Sequence, residues 1–542
     1  VGRDHPIIGA AHSARTSPLG LGLALLAIGC VEPRSGVPDD AGSRDAGAAD
    51  LGRADTGSTD GGARDTGSVD TGTTDTGSVD TGSVDTGSVD TGTVDTGTTD
   101  SGLVDTGPVD VGSTVDVGSP VDAGSPDVPA PDVSAADVPC VGGSRVMCGS
   151  RCTDRLTDPA NCGFCGHVCT SSESCSSGSC IDTRVDLIAL GVRHSCIVTR
   201  ALANVHCWGD NSSGQLGDGT TMSREHPVLV PALMNVQGIG VGERHTCVGR
   251  PGDVMQCWGD NNAGQLGDGT TTASRSPVRV LTVDSVRFLG AGEAHTCGWR
   301  SSAAQVWCWG NNANGQLGDG TSVTRGTPAV VPGAGIALVV AAGNAHTCVR
   351  DFDGSVHCWG HNGFGQLGDG TTIDRARPTL VSGVNGVTGI SASIAPVRGA
   401  SPTGSHTCAV NQGGRVYCWG SNESGQLGDE STTSRPGPVD VRSGESFSAV
   451  AVGGFHSCAI AGTRLFCWGN NAVGQLGDGT TTQRTIPALV TGLPPVRAVA
   501  CGLRHTCAVD TSAQAWCWGD NAAGQLGDGT RVSRSTPARI VY

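Results

Sequence analysis

Lysine is absent from this chain: all 34 basic residues among its 542 are arginine. The formal charge of −17 is also unevenly spread. Residues 181–542 hold 25 Arg against 25 Asp plus Glu, so this larger part is neutral and the acidity lies ahead of it. Without a basic excess there, the footprint that grips phosphate backbones is missing, and no nucleic-acid partner is expected. A membrane-spanning run is lacking too. The apolar stretch from Leu19 to Ile28 is too short to cross a bilayer as an ordinary helix. No Ser-His-Asp set or carboxylate pair stands apart from the repeats described next. Every polar candidate recurs sevenfold, so no catalytic residue, resident metal or cofactor is expected.

What the chain has is repetition. Seven times, His-(Ser/Thr)-Cys is followed by Cys-Trp-Gly and then by Gly-Gln-Leu-Gly-Asp. The Trp-Gly pairs begin at Trp208, Trp258, Trp309, Trp359, Trp419, Trp468 and Trp518, a period near 50 residues with one interval of 60. Such a period indicates a solenoid, a propeller or an array. Within the second copy, Val236–Val241, Thr246–Val248, Val254–Trp258 and Pro277–Val280 read as strands separated by turn residues. Four short strands cannot bury their own faces, whereas blades packed radially can, and a closed ring leaves no sheet edge exposed. The fold class is therefore all-β, a seven-bladed β-propeller over residues 181–542. Asp186 to Val192 is expected to complete a blade with Pro537 to Val541 and so latch the ends together.

The repeat cysteines fit that geometry. Cys196 with Cys207, Cys247 with Cys257, Cys297 with Cys308, Cys348 with Cys358, Cys408 with Cys418, Cys458 with Cys467, and Cys507 with Cys517 each bracket a hairpin turn. Opposed residues on adjacent strands lie close enough for a disulfide. Zinc at His-x-Cys plus Cys has suitable ligand types, but opposed strands do not make a converging tetrahedron. Cys501 is left without a partner by this rule. The histidines His194, His245, His295, His346, His406, His456 and His505, one per copy, read as structural residues bridging backbone groups. The tryptophans read as packing anchors, Leu216 and its equivalents as inward plugs, and Asp218 and its equivalents as acceptors within turns. Asp210 and Asp260 hint at calcium loops, yet their equivalents are Asn311, His361, Ser421 and Asn470, which no calcium cage would hold.

The run Trp258-Gly-Asp-Asn-Asn-Ala-Gly-Gln-Leu-Gly-Asp-Gly269 resembles the signature of the regulator of chromosome condensation family, and all seven copies share it. The resemblance implies a seven-bladed propeller over about two thirds of the chain. The best-known member is a nuclear exchange factor that binds a small GTPase and nucleosomes. For an exported, disulfide-rich chain with a neutral body, no small GTPase is expected as a partner, because one fold hosts unrelated functions.

Residues 1–30 read as an export signal. Arg3 and Arg15 precede the apolar run, and Leu26-Ala27-Ile28-Gly29-Cys30 resembles a bacterial lipoprotein lipobox, with Cys30 as the lipidated residue. The long stretch ahead of the run points to a start further downstream. The expectation is a bacterial lipoprotein of the outer membrane or cell surface, held to the lipid bilayer by its anchor, or alternatively a secreted protein. Residues 31–139 repeat Thr-Gly-Ser-Val-Asp with a period of five that suits neither helix nor strand and opposes collapse; they read as a disordered linker. Their Asp-Thr-Gly triplets are not an aspartic-protease site, which needs two such triplets on folded loops. Residues 140–180 carry Cys140, Cys148, Cys152, Cys162, Cys165, Cys169, Cys175 and Cys180 with too few large apolar residues for a core, so disulfides substitute for one, and 105 pairings are open. The spacing around Asp158-Pro-Ala-Asn-Cys-Gly-Phe-Cys-Gly resembles a Cys-rich module found beside repeats in bacterial surface lipoproteins, which implies a spacer.

One copy departs from the others. From Ile390 to Ser405, about ten extra residues, including Arg398, separate Gly389 from His406. A loop confined to one blade is the candidate binding contact. The functional expectation is a surface-anchored propeller that binds or scaffolds an extracellular protein or glycan. The alternatives are a purely structural envelope protein and an extracellular polymer hydrolase or lyase.

Overall fold

The computed structural model describes residues 145–394 and 405–542, apart from residues 149–150, 157, 163, 170–172, 177, 251, 253, 285 and 301–304. Cys30, Arg398, the lipobox-like segment and the linker of 31–139 lie outside the described residues.

Seven four-stranded antiparallel sheets follow one another from Val185 to Arg539, each built from four consecutive strands. Blade 1 comprises Val185–Leu190, His194–Thr199, Val205–Gly209 and Arg224–Leu229, and blade 7 comprises Val496–Cys501, His505–Asp510, Ala515–Gly519 and Arg534–Arg539. The all-β, seven-bladed reading of the sequence holds. In the second copy the strands are Gly238–Val241, His245–Gly249, Val254–Gly259 and Ser274–Asp284. The first strand of each blade touches the first strands of its neighbours around the ring, including blade 7 against blade 1. Flanked on both faces, these strands are buried almost throughout, whereas the outermost strands, such as Arg224–Leu229, are half exposed. The seven repeat tryptophans are fully buried between blades, together with Leu216 and its equivalents.

The expected latch between the chain ends does not form. Val185–Leu190 is the innermost strand of its own blade, and Arg534–Arg539 is the outermost strand of blade 7. The strand ahead of each His belongs to the blade of that His, so the first copy already owns four strands and borrows none.

Because the strands alternate in direction, the connections from first to second and from third to fourth strand share one face of the disk. The other two kinds of connection share the opposite face. Ahead of blade 1, two small hairpins, Arg145–Cys148 with Arg151–Asp154 and Glu173–Ser176 with Ser179–Asp182, form a Cys-rich unit. Its described disulfides are Cys148–Cys165, Cys162–Cys175 and Cys169–Cys180.

Candidate functional site

The most regular chemistry in the molecule is a ring of hydrogen bonds through the seven blade seams. In the first seam, the backbone carbonyl of Gln215 in blade 1 accepts from the Trp258 indole at 2.9 Å and from the Thr246 hydroxyl at 2.9 Å, both in blade 2. The Thr246 oxygen in turn lies 3.0 Å from His194 Nε2 of blade 1. Since the hydroxyl proton is committed to the carbonyl, Nε2 carries the imidazole proton and donates it. The same contact joins His245 to Thr296, His295 to Thr347, His346 to Thr407, His406 to Ser457 and His456 to Thr506, at 2.8–3.0 Å. The seventh seam closes the disk identically. His505 reaches Ser195 at 3.0 Å, and both Ser195 Oγ and the Trp208 indole donate to the Gln525 carbonyl at 2.8 Å.

One glycine in every blade, and a second in all but blade 5, where Ser393 stands, permit this. A side chain on Gly242 would meet the Cε1 of His245 at 2.4 Å, and one on Gly217 would meet the Trp258 indole nitrogen at 2.7 Å. Each imidazole therefore packs edge-on against backbone, and Nδ1 of His194, His245, His295, His346, His456 and His505 has no partner among the described residues. Burial holds the pKa of these six down, to about 3 for His194, His295, His346 and His456 and about 4 for His245 and His505. They are neutral donors at physiological pH. The Ser195–His505 contact thus runs in the wrong direction for a nucleophile and base, because the imidazole donates and the hydroxyl serves a carbonyl. The seam hydroxyls and imidazoles therefore form structural contacts and no nucleophile–base pair.

The third-to-fourth strand loops are equally regular. Asn211 Nδ2 donates to Asp218 and to the carbonyls of Thr220 and Met222, while its Oδ1 accepts from Leu216 N. Burial pushes the Asp218 carboxyl up, but the Thr220 hydroxyl and the Arg224 guanidinium outweigh it and hold the pKa below the usual carboxylate range. The Asp–Arg pair recurs in blades 3, 4, 5, 6 and 7, whereas blade 2 has Ser274 at the arginine position. Asp210, the hinted calcium ligand, takes hydrogen bonds from Ser212 and Gln215. His361, Ser421 and Asn470 likewise hold the glutamine side chain of their loops. The asparagine hub and the glutamine carbonyl escaped the sequence reading. The asparagine recurs at a fixed place before each Gly-Gln-Leu and was legible in principle; a backbone acceptor leaves no signature in residue type.

The seven cysteine pairs sit opposite one another in register and are bonded, with Cα–Cα distances of 4.1–4.2 Å. Cys501 is a buried free thiol on the inner strand of blade 7, and burial pushes its pKa up. It clusters with His456 and Cys458, but Cys458 is tied to Cys467 and His456 Nε2 to Thr506. In the candidate binding loop, Ile390 and Ser405 are interior, 1% and 2% exposed. Ile390 packs in the core with Trp419, so neither anchor residue is itself a contact.

Sequence patterns of the regulator of chromosome condensation (RCC1) repeat match residues 203–248, 257–304, 303–350, 353–410, 413–460, 464–509 and 512–542, more than half of the chain. The chain belongs to the RCC1 repeat family. Most matched units begin at the third strand of one blade and end on the second strand of the next, so the family pattern straddles each hydrogen-bonded seam. Residues 136–207, which include the small Cys-rich unit, match the stigma-specific STIG1-like protein family. Among solved structures, human WBSCR16 is 23% identical with a TM-score of 0.56, covering 62% of this chain and 95% of its own. Yeast RCC1 (Prp20) bound to Kap60 is 22% identical with a TM-score of 0.55, covering 65% and 85%. Prp20p from Saccharomyces cerevisiae, described with its binding properties to Gsp1p and histones, is 22% identical with a TM-score of 0.54, covering 62% and 86%. At these identities the likeness establishes the fold.

These findings correct three expectations. The reading as a bacterial exported lipoprotein gives way, because the RCC1-type solved proteins described above come from human and yeast. The localisation at an outer membrane or cell surface, with the lipid bilayer as a partner, falls with it. A protein of this fold is bound to Kap60. The exclusion of a small GTPase partner also falls, since Gsp1p, a Ran-family GTPase, is among the molecules whose binding is described for Prp20p. The physical error was common to all three: a short apolar run and a neutral net charge report on neither compartment nor partner.

Proposed function

We propose that this chain is a scaffold that binds a partner protein on the face carrying the blade 5 insertion. The observation that carries the reading is an interruption of an otherwise fixed connection. In six blades three residues link the inner strand to the ring histidine, and in blade 5 thirteen do, residues 393–405. The frame around the insertion is undisturbed: Ser391, Ser393 and Ser405 are buried, and His406 still meets Ser457 at 2.8 Å. Extra chain that the ring does not need is free to serve recognition. The same face carries exposed apolar residues on the third-to-fourth strand loops, Met222, Val323, Ile373 and Val532, each at least 60% exposed. By composition, residues 31–139 act as a linker and 140–180 as a disulfide-bonded spacer.

The test compares the full-length oxidised chain with a variant lacking residues 395–404. A Ran-family GTPase, histones and a glycan panel serve as immobilised probes. The expected result is saturable binding to a protein, weakened at least about tenfold in the variant, a difference of about 1.4 kcal/mol. Equal binding by both chains, or saturable binding to a glycan and to no protein, overturns the proposal.

A further inference from the structure

On the opposite face, the second hairpin of the Cys-rich unit meets blade 1 beside the connection from Thr199 to Val205 and leaves a cleft of about 200 Å³. His206, 2% exposed, lines it with Nδ1 lacking a partner, next to Asn204, whose buried Oδ1 also lacks one. Register shows how blade 1 differs from two of the other blades. At the place of His206, blade 4 has His357, 2.9 Å from Asp351, and blade 7 has Trp516, whose indole donates to Asp510 at 3.0 Å. Blade 1 has Thr199 where those aspartates stand, and its hydroxyl turns to the Asn204 carbonyl. The blade therefore supplies His206 with no carboxylate of its own. Carboxylates come instead from the hairpin, where Glu173 and Asp182 face each other across the strand pair. Asp182 already accepts from the Arg184 guanidinium and from the Ala201 amide, and the Arg184 charge acts on both carboxylates. Leu202 and Leu229, 59% and 48% exposed, form apolar lips.

We infer that this cleft receives the basic side chain of a partner peptide, with its aliphatic stem between Leu202 and Leu229 and its cationic head among Glu173, Asp182, Asn204 and His206. Arginine and lysine combine an apolar stem with a head that only donates, which complements the acidic hairpin and the two unmatched polar groups. Burying those groups without partners is costly, so a donor that reaches them gains more than a surface contact would. Burial also holds the His206 pKa down to about 4, leaving a neutral ring that does not repel a cation near neutral pH. Whole small-molecule ligands occupy pockets of about 300–1,000 Å³, so the smaller cleft suits a single side chain.

The test uses the full-length oxidised chain and a fluorescein-labelled Gly-Gly-Arg-Gly-Gly peptide, with pentaglycine and free arginine as comparisons. Saturable binding of the arginine peptide is expected, with none of pentaglycine. His206→Phe installs the residue type that blade 6 carries as Phe466, so the variant retains a folded blade, and binding should fall about tenfold or more. Glu173→Gln, at the mouth, should weaken binding by a smaller factor and steepen none of the salt dependence. Indifference to both substitutions, equal affinity for pentaglycine, or no saturable binding by the parent chain overturns the inference. Competition by free arginine as strong as by the peptide overturns the peptide assignment. Deleting residues 395–404 on the other face should leave this binding unchanged, which separates its outcome from that of the scaffold proposal.

Discussion

Acid should unfold this propeller well above the range in which carboxylates titrate. Six ring histidines are held by burial at about 3 or 4 in the folded chain, against about 6.5 for an exposed imidazole. With the folded pKa depressed, the unfolded chain takes up protons first as pH falls. The stability is therefore present above about pH 6.5 and is lost progressively from there towards pH 3–4. Each ring loses about 1.3 kcal/mol between about pH 7 and pH 5.5, so six lose about 7–8 kcal/mol, a large part of the 5–15 kcal/mol typical of a domain. The structural cause is the unmatched Nδ1: packed against glycine backbone, it offers a second imidazolium N–H no acceptor. Urea titrations of the oxidised chain, followed by fluorescence of the seam tryptophans, would show the midpoint falling steeply over that interval. A midpoint that stays constant from about pH 7 to pH 5.5 refutes the reasoning.

Other substitutions test separate links. Thr347→Val keeps the shape but leaves the His295 Nε2–H without an acceptor, and should cost about 1–3 kcal/mol in urea unfolding, with a smaller added cost when His295 is also replaced by Leu. Gly318→Ala, at φ +71° with its new Cβ 2.6 Å from the Trp359 indole nitrogen, should cost at least about 2 kcal/mol. Gly333→Ala, at φ +79° with open space around it, should cost about 1 kcal/mol, and equal losses at the two sites would contradict the packing argument. Ser274→Arg gives blade 2 the ion pair that Asp218–Arg224 makes in blade 1, and a gain of about 0.5 kcal/mol is expected at low salt, shrinking as salt is added. A gain indifferent to salt would point to packing instead.

The blades were legible because each copy spells its own strands and turns, and the cysteine pairs because residues flanking a hairpin must face one another. His, Trp and Leu216-type residues were rightly read as structural for the same reason, a residue repeated seven times at one place belonging to the frame, but the histidines do not bridge backbone groups as expected: each meets a Thr or Ser hydroxyl of the next blade. The partners of those residues were not legible. His194 meets Thr246, 52 positions away, only because blades pack side by side, and the Gln215 carbonyl that joins them belongs to the backbone. The latch failed because a repeat read along the chain has no marked beginning, so blade boundaries can be drawn in more than one phase. The cleft beside His206 rests on Thr199 standing where blades 4 and 7 carry Asp351 and Asp510, a difference that gains meaning only once the Cys-rich hairpin is seen against it.

The sequence by itself determined that this is a seven-fold β repeat with internal disulfides, since strand length, turn residues and cysteine register are local properties of each copy. Only the tertiary structure decided how the ring closes and which way each histidine points its proton. Those depend on contacts between neighbouring blades, and such contacts follow from the closure of the disk rather than from any single stretch of chain.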